Sequence, residues 1–196
     1  VLKNTNFDIS DVPRSWEEFS RGRAFRGAGQ TMQIQFEPGT EFTRFRVDFR
    51  EPYFLEKPIG LNTSAYLFER PRDGYDERRG GGMFSFDHRF ESGLLQTWTG
   101  EIALRAEYVD VADRDAFAAK DIRDVEGGNF LSTIKVSLLH DTTDNRFDPG
   151  EGHRFETSYE QAAGDFYHGK LQVAGAKYYT VAVDEQDRKS VVALRA

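Results

Sequence analysis

The stretch HDTTDNRFDPGEGHRFETSYE, His140–Glu160, decides how the rest of the chain is read. It opens on acids, bends at Asp148-Pro149-Gly150 and then alternates. Arg154, Glu156, Ser158 and Glu160 fall on one parity, and Phe155, Thr157 and Tyr159 on the other. A metal loop, a catalytic acid cluster and a turn between two long strands all begin this way. An EF-hand loop starting at Asp144 needs Asp or Asn at its third position and Gly at its sixth. The chain has Arg146 and Pro149 there. A catalytic acid needs a pKa raised by burial, and nothing in this stretch argues for one. The turn reading satisfies the residues best. Asp141, Asp144 and Asn145 can accept hydrogen bonds from turn amides, and Arg146 is expected to pair with a neighbouring carboxylate. Pro149 pre-sets the bend, and Gly150 or Gly152 supplies a positive φ.

Outward from this turn the period is two nearly everywhere. Met32, Ile34 and Phe36 alternate with Gln33, Gln35 and Glu37; Phe45, Val47 and Phe49 alternate with Arg44, Arg46 and Asp48. Trp98, Ile102, Leu104 and Tyr108 oppose Thr99, Glu101, Arg105 and Glu107. Ile134, Val136 and Leu138 oppose Thr133, Lys135 and Ser137, and Leu171, Val173, Tyr179 and Val181 oppose His168, Lys170, Gln172 and Thr180. Such alternation predicts strands with one apolar and one polar face, about ten in all once the weaker segments are counted. Those weaker segments are Leu2–Ile9, Ile59–Phe68, Gly82–Phe90 and Val191–Ala196. One helix is predicted, Arg114–Asp124, inside a long connection from Asp110 to Phe130. Asp11–Gly29 reads as a second long connection.

Composition narrows the classes. A formal net charge of -7 excludes a basic nucleic-acid binder. Aromatic content of 14% excludes an acidic disordered chain. The absence of Cys excludes a disulfide scaffold and a thiol nucleophile. The chain opens on Val1 and breaks off within an alternating segment, so it is expected to be a piece of a longer protein. No apolar run reaches the length of a spanning helix, but a spanning β-barrel hides its polar half inside and shows only a weak signal per segment.

Strand length and strand ends point to a membrane. A spanning β-strand needs about 9–11 residues, against about 5–6 for a soluble one. Phe42, Tyr53, Phe54, Trp98, Tyr108, Tyr167, Tyr178 and Tyr179 stand near the ends, where outer-membrane barrels wear aromatic girdles. An Arg on the lipid face at the midplane costs about 2–4 kcal/mol. The charged parity must therefore face the lumen: Arg44, Arg46, Asp48, Arg50, Glu101, Arg105, Glu107, Lys135, Arg154 and Glu156. A soluble antiparallel sheet with the same parity in water stays open on alternation alone.

With these residues in view, the chain resembles the barrel domain of the BamA outer-membrane assembly-factor superfamily, also called the bacterial surface antigen family. Three stretches carry the likeness. FREPYFLEKPIGL, Phe49–Leu61, is a strand ending in a Pro52-Tyr53-Phe54 turn and followed by a new strand. HDTTDNRFDPGEGHRFETS, His140–Ser158, matches that family's Asp-x-x-Asp-x-x-x-x-Pro-x-x-Gly turn. NFDIS…PRSWEEF…GRAFRGAGQ, within Asn6–Gln30, is similar to the turn before the family's third strand. The resemblance implies an all-β fold: an antiparallel transmembrane β-barrel segment of long meander strands, a partial barrel with one short helix in a long loop. Residues 1–196 would form one partial barrel domain, running from about the second strand to about the eleventh. It implies periplasmic turns at Asp11–Gly29, Pro52–Pro58 and Asp141–Gly152, and an extracellular Asp110–Phe130. POTRA domains, gate strands and the loop with the Arg-Gly-Phe motif would lie outside the segment.

The remaining motifs read as structural. His88, His140, His153 and His168 lack a helical metal arrangement, although His140 and His153 flank one turn and can meet across it. Gly22, Gly27 and Gly29 form no dinucleotide fingerprint, and Arg78–Gly82 lacks the Lys-Ser/Thr of a P-loop; both read as loops or strand starts. Asn62-Thr63-Ser64 falls on a strand. No catalytic residue, cofactor or metal is expected. The expected function is a non-enzymatic component of the bacterial outer membrane that assists folding and insertion of other outer-membrane proteins. Its partners would be outer-membrane lipid, client β-barrels and accessory assembly lipoproteins, with no nucleic acid. The alternatives are a passive porin or a small-solute or polypeptide transporter barrel, and a soluble β-sandwich binding module.

Overall fold

The computed structural model describes residues 1–72, 74–112 and 120–196. The strands are β1 (Leu2–Phe7), β2 (Gln30–Glu37), β3 (Thr43–Glu51), β4 (Ile59–Arg72), β5 (Tyr75–Arg89), β6 (Trp98–Ala112), β7 (Gly127–Asp141), β8 (Gly152–Gly164), β9 (His168–Val183) and β10 (Lys189–Arg195). Two short helices, α1 (Trp16–Ser20) and α2 (Lys120–Asp124), and a 3-10 turn at Phe54–Glu56 lie in the connections. All ten strands form one antiparallel sheet in sequence order, an unbroken meander. β1 and β10 do not pair with each other, so the sheet is part of a barrel rather than a closed one.

Strands β5, β6 and β7 each run 15 residues, and β9 runs 16. A period-two pattern sustained this long leaves one parity of every strand on each face. The register keeps the parities aligned across the sheet: Ile102 pairs with Val136, Val136 with Tyr159 and Tyr159 with Leu171. Beside that row, Glu101 pairs with Ser137 and Ser137 with Ser158. A slip of one residue in any strand would exchange the two sets.

Burial is inverted relative to a water-soluble sheet. Among the described residues, the buried polar groups include Ser64, Glu77, Ser85, Glu107, Thr133 and Ser158, all on one face. Among the described residues, buried apolar positions are only Ala24, Ala103, Val111 and Ala162. Most large apolar side chains sit on the other face and are open: Ile102 is 53% exposed and Leu171 70%, against 5% for Glu77 and Glu107. Apolar surface of this extent on one side needs an apolar medium or a partner. The polar face lines a cavity of ~1370 Å³ bounded by residues from β1 to β8.

The connections alternate between two rims. One, here the first rim, carries 8–29, 52–58, 90–97, 142–151 and 184–188; the second carries 38–42, 74, 120–126 and 165–167 among the described residues.

Three readings from the sequence change. The connection Asp11–Gly29 contains α1, whose N-cap is Ser15: Glu18 N donates to Ser15 Oγ at 3.1 Å, and Glu18 Oε2 accepts from Arg14 N, one residue before the cap, at 2.8 Å. The glycines Gly80, Gly81 and Gly82 lie inside β5, because ladder pairing on both sides supplies what their missing side chains do not. Tyr178 faces the cavity side, opposite to Tyr179, since the two are adjacent on β9. The expected helix Arg114–Asp124 is present over Lys120–Asp124, and residues 113–119 lie outside the described residues.

Candidate functional site

The wall of the cavity is built from alternate residues of β2–β8, and ion pairs run across it. Arg44 meets Glu37 at 3.5 Å, Arg46 meets Asp48 at 2.7 Å, and Arg50 meets Asp87 at 3.3 Å. Arg154 meets Glu156 at 3.5 Å. Most of these arginines are 40–50% open to solvent, so each pair contributes little by itself, about 0–1 kcal/mol. Their value is collective: they fill the face with fixed, hydrated charge.

The centre of the wall is different. Glu77 and Glu107 are buried, and an unpartnered buried carboxylate is costly. Glu77 is held by Arg72 at 3.2 Å and by Arg79. Glu107 is held by Arg79 at 3.4 Å and accepts the hydroxyl of Tyr66. Glu77, Arg79 and Tyr66 do not stand out in the sequence as lumen residues; the glycine run beside Arg79 masks the alternation there. Arg105 pairs with Glu160 at 3.8 Å, two strands away, rather than with Glu101 or Glu107 on its own strand. Glu101 lines the cavity and Lys135 shares its face, and neither makes an ion pair among the described residues.

The first-rim turn 142–151 is a network around one carboxylate. Asp144 Oδ1 accepts from the amides of Asn145 at 3.0 Å, Gly150 at 2.8 Å and Glu151 at 3.0 Å. Its Oδ2 takes the Lys189 ammonium of β10 at 3.0 Å. The amide hydrogen bond from Glu151, the Lys189 contact and that from Gly150 hold the Asp144 carboxyl far below the usual carboxylate range. Asp141 Oδ1 accepts the Thr143 amide at 3.0 Å and its hydroxyl at 2.6 Å. Asn145 Oδ1 accepts from Phe147 N at 2.9 Å and from Asp148 N at 3.3 Å. Pro149 precedes Gly150, and Gly152 takes the positive φ, +101°. Thr180 Oγ1 of β9 closes the network on Gly150 O at 3.0 Å. Arg146 makes no ion pair among the described residues; it leans over the cavity and lines it, so the carboxylates of this turn are satisfied by amides and by Lys189 instead. Lys189 is far from Asp144 in sequence, and no local signal marks it.

The turn 52–58 sits on the same rim. Tyr53 N donates to Glu51 Oε1 at 2.9 Å, Pro52 leads into it, and Phe54 packs on Phe86 with ring centroids 5.5 Å apart. The sharp bend puts Leu55 and Glu56 at positive φ, 54° and 60°. His140 and His153 meet across the β7–β8 end at 3.0 Å.

The first rim repeats one device. Asp8 accepts the Ser10 hydroxyl at 2.6 Å and its amide at 2.9 Å, and Asp184 accepts the amides of Gln186 and Arg188 at 2.9 Å each. Both carboxyls are lowered, by the Ser10 hydroxyl and by the Arg188 amide respectively.

The chain is similar in fold to the crystal structure of BamA from Haemophilus ducreyi lacking POTRA domains 1-3, with a TM-score of 0.62 and 12% sequence identity. The match covers 81% of this chain and 33% of that one, so the chain spans about a third of its length. No curated protein matches. The model of the Omp85 superfamily domain matches residues 24–196, from the end of the first long connection through β10. The match takes in every strand but β1, and the chain belongs to the Omp85 superfamily.

Proposed function

We propose that this chain is part of the wall of one bacterial outer-membrane barrel domain, and that the protein containing it assists folding and insertion of other outer-membrane proteins without enzymatic chemistry. Supporting this reading is the inverted polarity of an Omp85-family meander: ionic residues lining a cavity on one face and open apolar side chains on the other. In this reading the outer face meets lipid, the cavity is lumen, the first rim is periplasmic and the second is extracellular. The charges Arg44, Arg46, Asp48, Glu101, Arg105, Glu107, Lys135, Arg154 and Glu156 keep the lumen wet. The turn built on Asp141, Asp144, Asn145, Arg146, Asp148, Pro149 and Gly152, with the one at Pro52–Phe54, stiffens the periplasmic rim. Partners are outer-membrane lipid, client β-barrels presenting unpaired strand edges, and accessory assembly lipoproteins.

The test is reconstitution of the full-length protein into liposomes. A urea-denatured client barrel should reach its heat-modifiable folded form several-fold faster than in empty liposomes. The polar cavity favours a second reading, a passive pore or transporter. Steady conductance in planar bilayers with no acceleration of client folding would select that reading.

A further inference from the structure

On the outer face of β2–β9, Lys and Arg occupy only two of the described positions, Arg78 near the second rim and Lys177 near the first. Lys177 is the register partner of His153 on β8 and Leu194 on β10. Directly opposed side chains stand about 4.5–5.5 Å apart at Cβ. The Lys177 ammonium lies 5.0 Å from the centroid of the Tyr179 ring, and no carboxylate is within ion-pair distance of it among the described residues. A cation on the apolar parity, without an anion from the protein, asks for one from outside.

The surroundings set the depth. Trp98, His140, Phe155 and Gly175 share one register row across four strands. Trp98 stacks on His140, centroids 4.9 Å apart at 15°, and meets Phe155 edge-on at 5.9 Å. Tyr108 lies ten residues along β6 on the same face. At ~3.3 Å per residue and a tilt of about 40°, the two rings are about 25 Å apart along the barrel axis, the height of an outer-membrane apolar band. Lys177 is two residues beyond the Trp98 row toward the first rim, at headgroup level. The imidazoles are pre-positioned there: His140 Nδ1 is 3.0 Å from His153 Nε2. Their other nitrogens rest on hydroxyls, His140 Nε2 on Thr97 at 2.8 Å and His153 Nδ1 on Thr142 at 3.0 Å. Gly175 leaves open space beside Phe155, since an added Cβ would meet nothing within 4 Å.

We infer that Lys177, His153 and His140 form a binding site for the phosphate of a phospholipid headgroup in the leaflet at the first rim. The ammonium meets the phosphate oxygens, the two imidazoles, held by each other and by Thr97 and Thr142, form the polar side of the site, the Gly175 gap admits the glycerol backbone, and the acyl chains run along Val173 and Leu171. This inference rests on the reading of the outer face as lipid-facing.

The experiment is native mass spectrometry of the full-length protein released from micelles containing dioleoyl-phosphatidylglycerol, dioleoylglycerol or inorganic phosphate. Retained phosphatidylglycerol, no retained dioleoylglycerol and no displacement by inorganic phosphate are expected. Lys177→Met combined with His153→Ala should lower retention about tenfold, and Lys177→Arg should restore most of it. Lys170→Met, on the cavity face, should change nothing. Heat-modifiable mobility confirms that each variant is folded. Equal retention by the double variant, equal retention of dioleoylglycerol, or displacement by inorganic phosphate overturns the site. A nitroxide at Val136 in liposomes separates the two levels. If dissolved oxygen reaches it and lipid retention is unchanged by substitution, the headgroup site alone fails. If aqueous quenchers reach it first, the membrane reading and the site fail together.

Discussion

Tyr66 of β4 donates its hydroxyl to the Glu107 carboxylate of β6 across Gly81 of the strand between them. The three residues are register partners in one row. A Cβ at position 81 would stand 2.8 Å from both the Tyr66 hydroxyl and the Ala106 carbonyl oxygen. The glycine is therefore the space through which two strands two places apart are tied, and the tie fixes β4, β5 and β6 in one register.

Gly81→Val should lower the stability of the intact protein by about 1–3 kcal/mol through overpacking. Tyr66→Phe, which leaves the buried Glu107 to Arg79 alone, should cost about 1–3 kcal/mol. Urea titration of the heat-modifiable form reads both. Gly80→Ala, whose Cβ would approach only the end of the Leu67 side chain at 3.2 Å, should cost clearly less.

The two faces should respond oppositely to charge. Val136→Arg on the outer face should reduce folding into liposomes by about 2–4 kcal/mol, the midplane value for a barrel. Ser137→Arg, one residue on and facing the cavity, should fold with a much smaller loss. Comparable losses at the two positions would contradict the facing.

The turn around Asp144 should be acid-resistant. An isolated Asp carboxyl titrates near 3.8, and in the folded turn the group is held far below that. Its stabilising effect is present above the unfolded value and is lost only as pH falls through the lowered folded one. Hydrogen exchange at the Gly150 and Glu151 amides should therefore stay slow at pH 4 and quicken only in stronger acid. Asp144→Asn should weaken that protection at neutral pH and remove its acid dependence.

The faces of the sheet were legible in the sequence because the demand is strict. Every second residue must suit one medium, as in Phe45, Val47 and Phe49 against Arg44, Arg46 and Asp48. The 142–151 turn was legible for a related reason, since Asp144 and Asn145 accept from amides within a few residues of themselves and Pro149 fixes its own φ. What escaped was either faint or distant. α1 is only five residues long, though Ser15 supplies its N-cap. Gly80–Gly82 carry no alternation, so half of β5 was silent. Lys189 reaches Asp144 only because β9 and β10 extend past the start of β8, a stagger that no local pattern records.

Gly152 closes that turn at a φ of +101°, and an added Cβ would clash with the Thr142 carbonyl oxygen. Gly152→Ala should therefore be destabilising, by about 1–3 kcal/mol from backbone strain. Limited proteolysis should find new cleavage confined to 142–151, with the rest of the chain still protected.

Through its backbone ladder, every strand from β2 to β9 bonds to the strand before it and the strand after it alone. Under mechanical load such a wall has no keystone. Pulled from one end in an optical trap, it should peel away in successive two-strand steps, each step shortening the ladder without loosening what is still paired.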